Sequence, residues 1–271
     1  MLIPYSDLAS FEAHVLRVAN AGVGPLITGS MGEAIHLSHS ERVKLIVAAR
    51  KALDGAGFTQ VPIIAGTGAG STRETIELTN EAAVAGADYA IVITSGYFAG
   101  PLASNRAALK AFFVEVSEKS SIPVMIYNCA FLPTAPRCCT NIFKTPVHLG
   151  ELISTLILSQ NWLKIAPIFV GSNLREYLTQ LSATVHYLIF QYSCGNVGKL
   201  TRIADAIAAP NFTSLHPRKN PNAPFLVLGG FIDFLIPSAF ANGHGAITGL
   251  ANLAPVCLAL FSAGNSVEPV P

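Results

Sequence analysis

Residues 1–128 alternate continuous apolar runs of strand length with capped helices, at intervals of about 30 residues, and this rhythm leaves few folds open. The helix "DLASFEAHVLRVANAG" puts Leu8, Phe11, Val15 and Val18 on one face and stops at Gly22, before the apolar run "GPLITGS". Ser38 and Glu41 form a capping box that predicts a helix to about Leu53. "VPIIAGTG" is the next strand, and Ser71 with Glu74 predicts a second capping box on a helix ending at Gly86. "YAIVITSGY", "SNRAALKAFFVEVSEK" and "IPVMIYN" continue as strand, helix and strand. Strands apolar on both faces, with helices between them, mark a parallel sheet in βαβ units. "ANAGVGPLITGS" echoes "AVAGADYAIVITSG", as repeated units would. Two architectures satisfy this pattern, a doubly wound sheet and a (β/α)8 barrel. In both, chemistry sits at the C-terminal ends of the strands, where Ser30, Glu33, Thr67, Thr94, Tyr97, Tyr127 and Asn128 fall.

The rhythm breaks after Asn128. Residues 129–192 hold Glu151 and Glu176 as their only acids and three of the five cysteines, with poor capping signals. It resumes at Ser193, with "CGNVGKLTRIADAIA" as a helix, "APFLVLGG" as a strand, "FIDFLIPSAFANG" as a helix, "GAITGLA" as a strand and "APVCLALFSAG" as a last helix. The expected organisation is one domain over 1–271: N-terminal βα units at 1–128, an atypical insert or replacement at 129–192, and C-terminal βα units at 193–264. In "YLIFQYSCGNVGK", a strand running into a helix, the strand end carries Gln191.

Composition narrows the function classes. The chain is 51% apolar and only 12% charged, but Gly, Pro, Asn and Ser break every apolar run before a spanning length of about 20 residues, so no membrane role is expected. A net charge of +1 without a basic cluster argues against nucleic acid. Cys129, Cys138, Cys139, Cys194 and Cys257 form no C-x-x-C pair, so neither a disulfide framework nor a zinc site is expected. A reducing compartment fits best. The start "MLIPYSDLASFE" has no targeting pattern, which points to the cytoplasm, or to mitochondria if the natural start lies further upstream.

Several motifs admit a chemical and a purely structural reading. "TGSMGEA", between strand and helix, can offer backbone N–H groups and a hydroxyl to a carboxylate or phosphate; it can equally be a tight turn. Glu33 reads either as a buried acceptor holding that loop or as a first-turn helix acid. Gly66, Gly68 and Gly70 lack the nucleotide-binding spacing and read as a strand-to-helix turn. His36 and His39 have no third ligand in reach, so no metal is expected, and His244 reads as a packed turn residue. Tyr127, ending a strand, is either a proton relay or packing.

Taken together, "GSMGEAIHLSHSER", "VPIIAGTGAGSTRETIELTNEAAVAGAD", "MIYN", "SCGNVGKLTRIA" and "NGHGAITGLANLAP" resemble the dihydrodipicolinate synthase / N-acetylneuraminate lyase family, nearest to its fungal 4-hydroxy-2-oxoglutarate aldolase-like members. The resemblance covers about residues 6–128 and 192–262. It implies a (β/α)8 TIM barrel, a homotetramer, no metal and no dissociable cofactor. The implied chemistry is class I aldol cleavage or formation on pyruvate or a similar small 2-oxo acid, through a lysine Schiff base. It further implies that Tyr127 relays the proton. Gly29, Ser30, Met31 and Gly32 would bind the pyruvate carboxylate, and the backbone of Ile247 would touch pyruvate.

Several positions depart from that pattern. Gln191 occupies the place of the Schiff-base lysine, Met31 replaces a hydroxyl residue, and Phe98 stands where a tyrosine is lent to a neighbouring subunit. The first strand is short and the C-terminal helices are curtailed, so an incomplete barrel is expected. Gln191 lies 64 positions beyond Tyr127, far more than one βα unit needs. The intervening block has the composition of a translated non-coding segment, and it is expected to have displaced the lysine-bearing strand. Lys164, between apolar neighbours at a strand-like position, and Lys199, on the following helix, are the alternative amines.

Overall fold

The computed structural model describes residues 7–96, 105–129, 165–166, 188–193, 197–211, 225–240, 243 and 245–257. Eight strands are described, all paired in parallel. They are β1 (Leu26–Ile27), β2 (Ile64–Gly66), β3 (Tyr89–Ile93), β4 (Val124–Cys129), β5 (Ile165–Ala166), β6 (Leu188–Ser193), β7 (Phe225–Gly229) and β8 (Gly245–Ala246). The helices are α1 (Leu8–Asn20), α2 (His39–Gly55), α3 (Thr72–Val84), α4 (Arg106–Lys119), α5 (Val197–Ala208) and α6 (Leu235–Phe240). The pairing runs β1-β2-β3-β4-β6-β7-β8, with β5 joined to the early part of β4.

The helix starts follow from local chemistry. Ser38 and Glu41 close a reciprocal capping box on α2. The Ser38 hydroxyl and backbone N–H hold the Glu41 carboxyl below its ordinary range. Ser71 caps α3 by accepting from the Glu74 N–H, but the second capping box is not reciprocal. The Glu74 carboxylate lies 3.8 Å from His39 Nε2 instead, because α2 and α3 pack side by side and the imidazole across the gap competes with the cap.

Two apolar layers build the fold. Outside the sheet, α1, α2 and α3 pack on β1 and β2 through Val15, Ile27, Ile46, Leu53 and Ile63, with Ala49, Ala65, Ala82, Ala85 and Ala87 letting the backbones approach closely. Inside, Ile91 and Met125 are buried at the centre of a second cluster. Against them pack Leu26 and Ile64 from β1 and β2, Tyr127 from β4, Leu228 from β7, and Ile247 just past β8. Strands at opposite ends of the pairing order therefore meet on one inner face, which a flat sheet cannot achieve; the sheet curves into a barrel. A polar contact ties the two ends as well. His14 and Arg17 of α1 bond the Asn252 side chain and carbonyl, respectively.

The strand expected in "YLIFQYSCGNVGK" is present: β6 pairs in parallel with β4 and β7 across Leu188–Ser193. "LIF" at 188–190 is a continuous apolar run of the kind parallel strands use, and backbone pairing does not depend on which residue follows it. The expected short first strand at "MLIPY" and the helices beyond residue 257 lie outside the described residues, as does most of 129–192.

At the N-terminal end of the strands, Arg50 acts as a staple. It donates to the carbonyls of Val61 at 3.1 Å and Phe58 at 3.2 Å, and pairs with Asp54 at 2.8 Å and Asp88 at 3.6 Å. Its side chain is only 18% exposed, so these bonds resist solvent competition. Arg50→Ala is expected to lower stability by about 2–3 kcal/mol in urea unfolding. Arg73→Ala, breaking an exposed pair with Glu77 at 3.9 Å, should change it by less than about 0.5 kcal/mol.

Candidate active site

The turn after β1 is built from unusual backbone. Thr28 adopts φ 56° and Glu33 φ 52°, left-handed conformations that are costly for side-chain-bearing residues and that gather at functional sites. Thr28 is held there by its hydroxyl, which lies 2.7 Å from the Ile27 carbonyl and 3.0 Å from that of Gly66. The chain then makes a 3-10 turn over Ser30–Gly32, closed by the Gly32 N–H to the Gly29 carbonyl at 3.0 Å. The Ser30 and Met31 N–H groups open that turn and have no bonding partner among the described residues. Ser30, Met31 and Gly32 are exposed. Glu33 is also exposed and joins two short 3-10 turns, so it is neither a buried acceptor nor a first-turn acid of α2. The left-handed link between those turns decides this, and the residue type gives no warning of it.

The turn reaches the far end of the sheet. The thioether of Met31 lies against Gly249, where any Cβ would collide with it. Ile247, two residues earlier, donates its backbone N–H to the Gly229 carbonyl at 2.8 Å and shares the inner cluster with Tyr127. Tyr127 is half-buried and stands in register with Ile93 on one side and Gln191 on the other. Gln191 is in turn in register with Leu228. Position 191 therefore lies on the same sheet face as Tyr127 and Leu228, within the ring that also contains Ile247. The structure thus gathers Gly29, Ser30, Met31, Gly32, Tyr127, Gln191 and Ile247 at the C-terminal strand ends of one barrel. Phe98, Lys164 and His244 lie outside the described residues.

The glycine-rich turn "AGTGAGSTRE" has a structural explanation. A Cβ on Gly66 would strike the Thr28 carbonyl, and one on Gly68 would lie 2.8 Å from the Ile93 nitrogen. Threonines secure the rest: Thr67 and Thr79 hydroxyls lie 2.8 Å apart, and Thr75 accepts from the Ala69 N–H at 3.2 Å. No group of three or more His, Cys, Asp or Glu side chains among the described residues could hold a metal. His39 bonds Glu81 at 2.9 Å instead of approaching His36 as a ligand pair. Burial lowers the pKa of Arg42, which Glu74 and Glu81 oppose, and its guanidinium donates to the Ala34 carbonyl at 2.6 Å. The void beside it, bordered by Thr28, Thr67 and Glu81, holds about 10 Å³, space for about one water and not a substrate.

Known proteins match this arrangement. The model of the dihydrodipicolinate synthetase family matches residues 8–136. The "Probable 4-hydroxy-2-oxoglutarate aldolase, mitochondrial" of Emericella nidulans is 36% identical over 267 residues, covering 97% of this chain and 70% of that protein. The L-threo-3-deoxy-hexylosonate aldolase of Hypocrea jecorina is 32% identical over 267 residues, covering 97% and 71%. A solved dihydrodipicolinate synthase family protein from Coccidioides immitis superposes with a TM-score of 0.63 at 32% identity, over 96% of this chain and 67% of that one. The E. coli K12 prophage protein YagE, solved in complex with pyruvate, gives 0.63 at 25% identity, over 96% and 73%. The chain belongs to the dihydrodipicolinate synthetase family, and its fold is that family's (β/α)8 barrel. No helix among the described residues is long and apolar enough to cross a membrane.

The close approach of β1 and β2 under the turn can be tested. Gly66→Ala places a methyl against the Thr28 carbonyl and is expected to cost about 1–3 kcal/mol in denaturant unfolding. Gly70→Ala, where a Cβ meets nothing within 4 Å, serves as the tolerated control.

Proposed function

We propose that this chain acts on small 2-oxo acids of the pyruvate class, as a carbon–carbon lyase of the aldolase type that forms or cleaves 4-hydroxy-2-oxo acids. The names of its fungal relatives support the substrate class, and the pyruvate complex of YagE supports the ligand. In this reading the free N–H groups of Ser30 and Met31 receive the carboxylate, so the missing hydroxyl at Met31 is replaced by backbone. Gly29 and Gly32 allow that approach, the Ile247 backbone borders the 2-oxo acid, and Tyr127 moves the proton. A homotetramer and a single domain belong to the same reading. Two curated relatives carry "mitochondrial" in their names; mitochondrial matrix and cytoplasm both keep thiols reduced, as the cysteine pattern asks.

The observation that shapes the reading is the pairing of Tyr127 with Gln191. A lysine there would add its amine to the 2-oxo carbon, expel water and leave an iminium to draw electrons from the neighbouring carbon. An amide nitrogen has its lone pair delocalised into the carbonyl and cannot take that step. Position 191 therefore favours a second reading of the same site, a barrel that binds 2-oxo acids without the covalent route.

Calorimetry with pyruvate, paired with borohydride trapping and mass spectrometry, separates the two. The expected result is pyruvate binding with no adduct on this chain, and an adduct on Gln191→Lys. An adduct on Lys164 or Lys199 of the unsubstituted chain would restore the Schiff-base aldolase. Absence of pyruvate binding would remove both readings.

A further inference from the structure

One buried hydroxyl near the barrel mouth has no partner, while the buried threonines Thr28, Thr67, Thr75 and Thr79 all do. The Thr28 hydroxyl bonds the Ile27 and Gly66 carbonyls. Thr67 bonds Thr79, which donates to the Thr75 carbonyl at 2.6 Å. Thr75 donates to the Ser71 carbonyl at 2.8 Å. Ser95 is 6% exposed, and its Oγ is the one buried side-chain oxygen among the described residues without a hydrogen-bond partner. Leaving a hydroxyl dry and unpaired costs stability, and native proteins keep few such groups. An alanine would fill the same place without that cost, so packing alone does not account for the serine.

Its position indicates what the hydroxyl is for. Ser95 lies two residues past β3, at the end of the strands where the rest of the site stands. Tyr89 and Ile91 of that strand belong to the inner face, and Ile93 stands in register with Tyr127. The same alternation brings Ser95 next on that face, one step nearer the mouth than Tyr127. The turn at Ser30–Gly32 follows β1 and Ile247 follows β8; Ser95 follows β3, which pairs with the Tyr127 strand and stands away from the carboxylate end. A 2-oxo acid anchored at that end, with its reacting carbon beside Tyr127, extends its remaining carbons toward β3 and β4.

We propose that the Ser95 hydroxyl donates a hydrogen bond to an oxygen on the hydroxylated portion of the substrate, beyond the 2-oxo acid unit, and so selects substrates larger than pyruvate. This rests on the 2-oxo acid reading above. The test compares the unsubstituted chain with Ser95→Ala and with Ser95→Cys, a near-isostere with a weak donor. Pyruvate and 4-hydroxy-2-oxoglutarate are titrated calorimetrically, and melting is followed without ligand.

Both variants are expected to bind pyruvate within about twofold of the unsubstituted chain and to lose about 5–20-fold in affinity for 4-hydroxy-2-oxoglutarate. The ligand-free melting temperature of Ser95→Ala should be unchanged or higher. Equal loss for both ligands, or none for either, would overturn the assignment while leaving 2-oxo acid binding intact. A lower ligand-free melting temperature would give Ser95 a structural partner and overturn it too. If the unsubstituted chain binds neither compound, the 2-oxo acid reading fails and the role of Ser95 with it.

Discussion

The inner cluster around Ile91 and Met125 is the contact on which the rest of this molecule depends. It takes side chains from β1, β2, β4 and β7 and from just beyond β8, and only a sheet rolled on itself brings these together. Rolling the sheet turns all the strand ends toward one mouth. It also leaves an outer surface that α1, α2 and α3 cover through small residues. The contact between Met31 and Gly249 and the bonds from His14 and Arg17 to Asn252 follow from the same closure. Each joins segments more than 200 residues apart in the chain.

The barrel separates scaffold from chemistry at position 191. A parallel strand needs backbone pairing and apolar cover on both faces, and Leu188–Ser193 obtains the pairing between β4 and β7. Nothing in that requirement calls for an amine beside Tyr127. The strand is retained with an amide at the position where the family reading calls for lysine. In the proposed reading the groups at the turn after β1 and at Ile247 do not depend on residue 191, so affinity for a 2-oxo acid and its covalent capture are separable properties of one site.

Much of the architecture was legible because its signals are local. The Ser38–Glu41 box and the Ser71 cap are interactions within a single turn, and both mark their helices where the sequence places them. The continuous apolar runs announced buried parallel strands, although the paired segments Leu26–Ile27 and Ile64–Gly66 are shorter than the runs that contain them. Where distant groups compete, the local reading stopped short. The Glu74 carboxylate faces His39 rather than completing its own box. Glu33 takes a left-handed linking conformation that its identity does not suggest. The rim polar residues Thr67, Thr94 and Tyr127 are legible as strand-end residues, but Ser95, in the same stretch, is set apart only by its buried, unpartnered hydroxyl.

The sequence by itself determined the alternating βα order, the helix starts, the family resemblance and the identity of residue 191, since each is written in adjacent residues or in motif order. Tertiary structure alone decided that the strand at that residue pairs between β4 and β7, and that Met31 meets Gly249. It also decided that the Ser95 hydroxyl is buried without a partner while the buried threonines Thr28, Thr67, Thr75 and Thr79 are bonded. Register and burial arise from contacts between segments far apart in the chain, and no local pattern of residues encodes which distant groups arrive or which polar atom they leave unmatched.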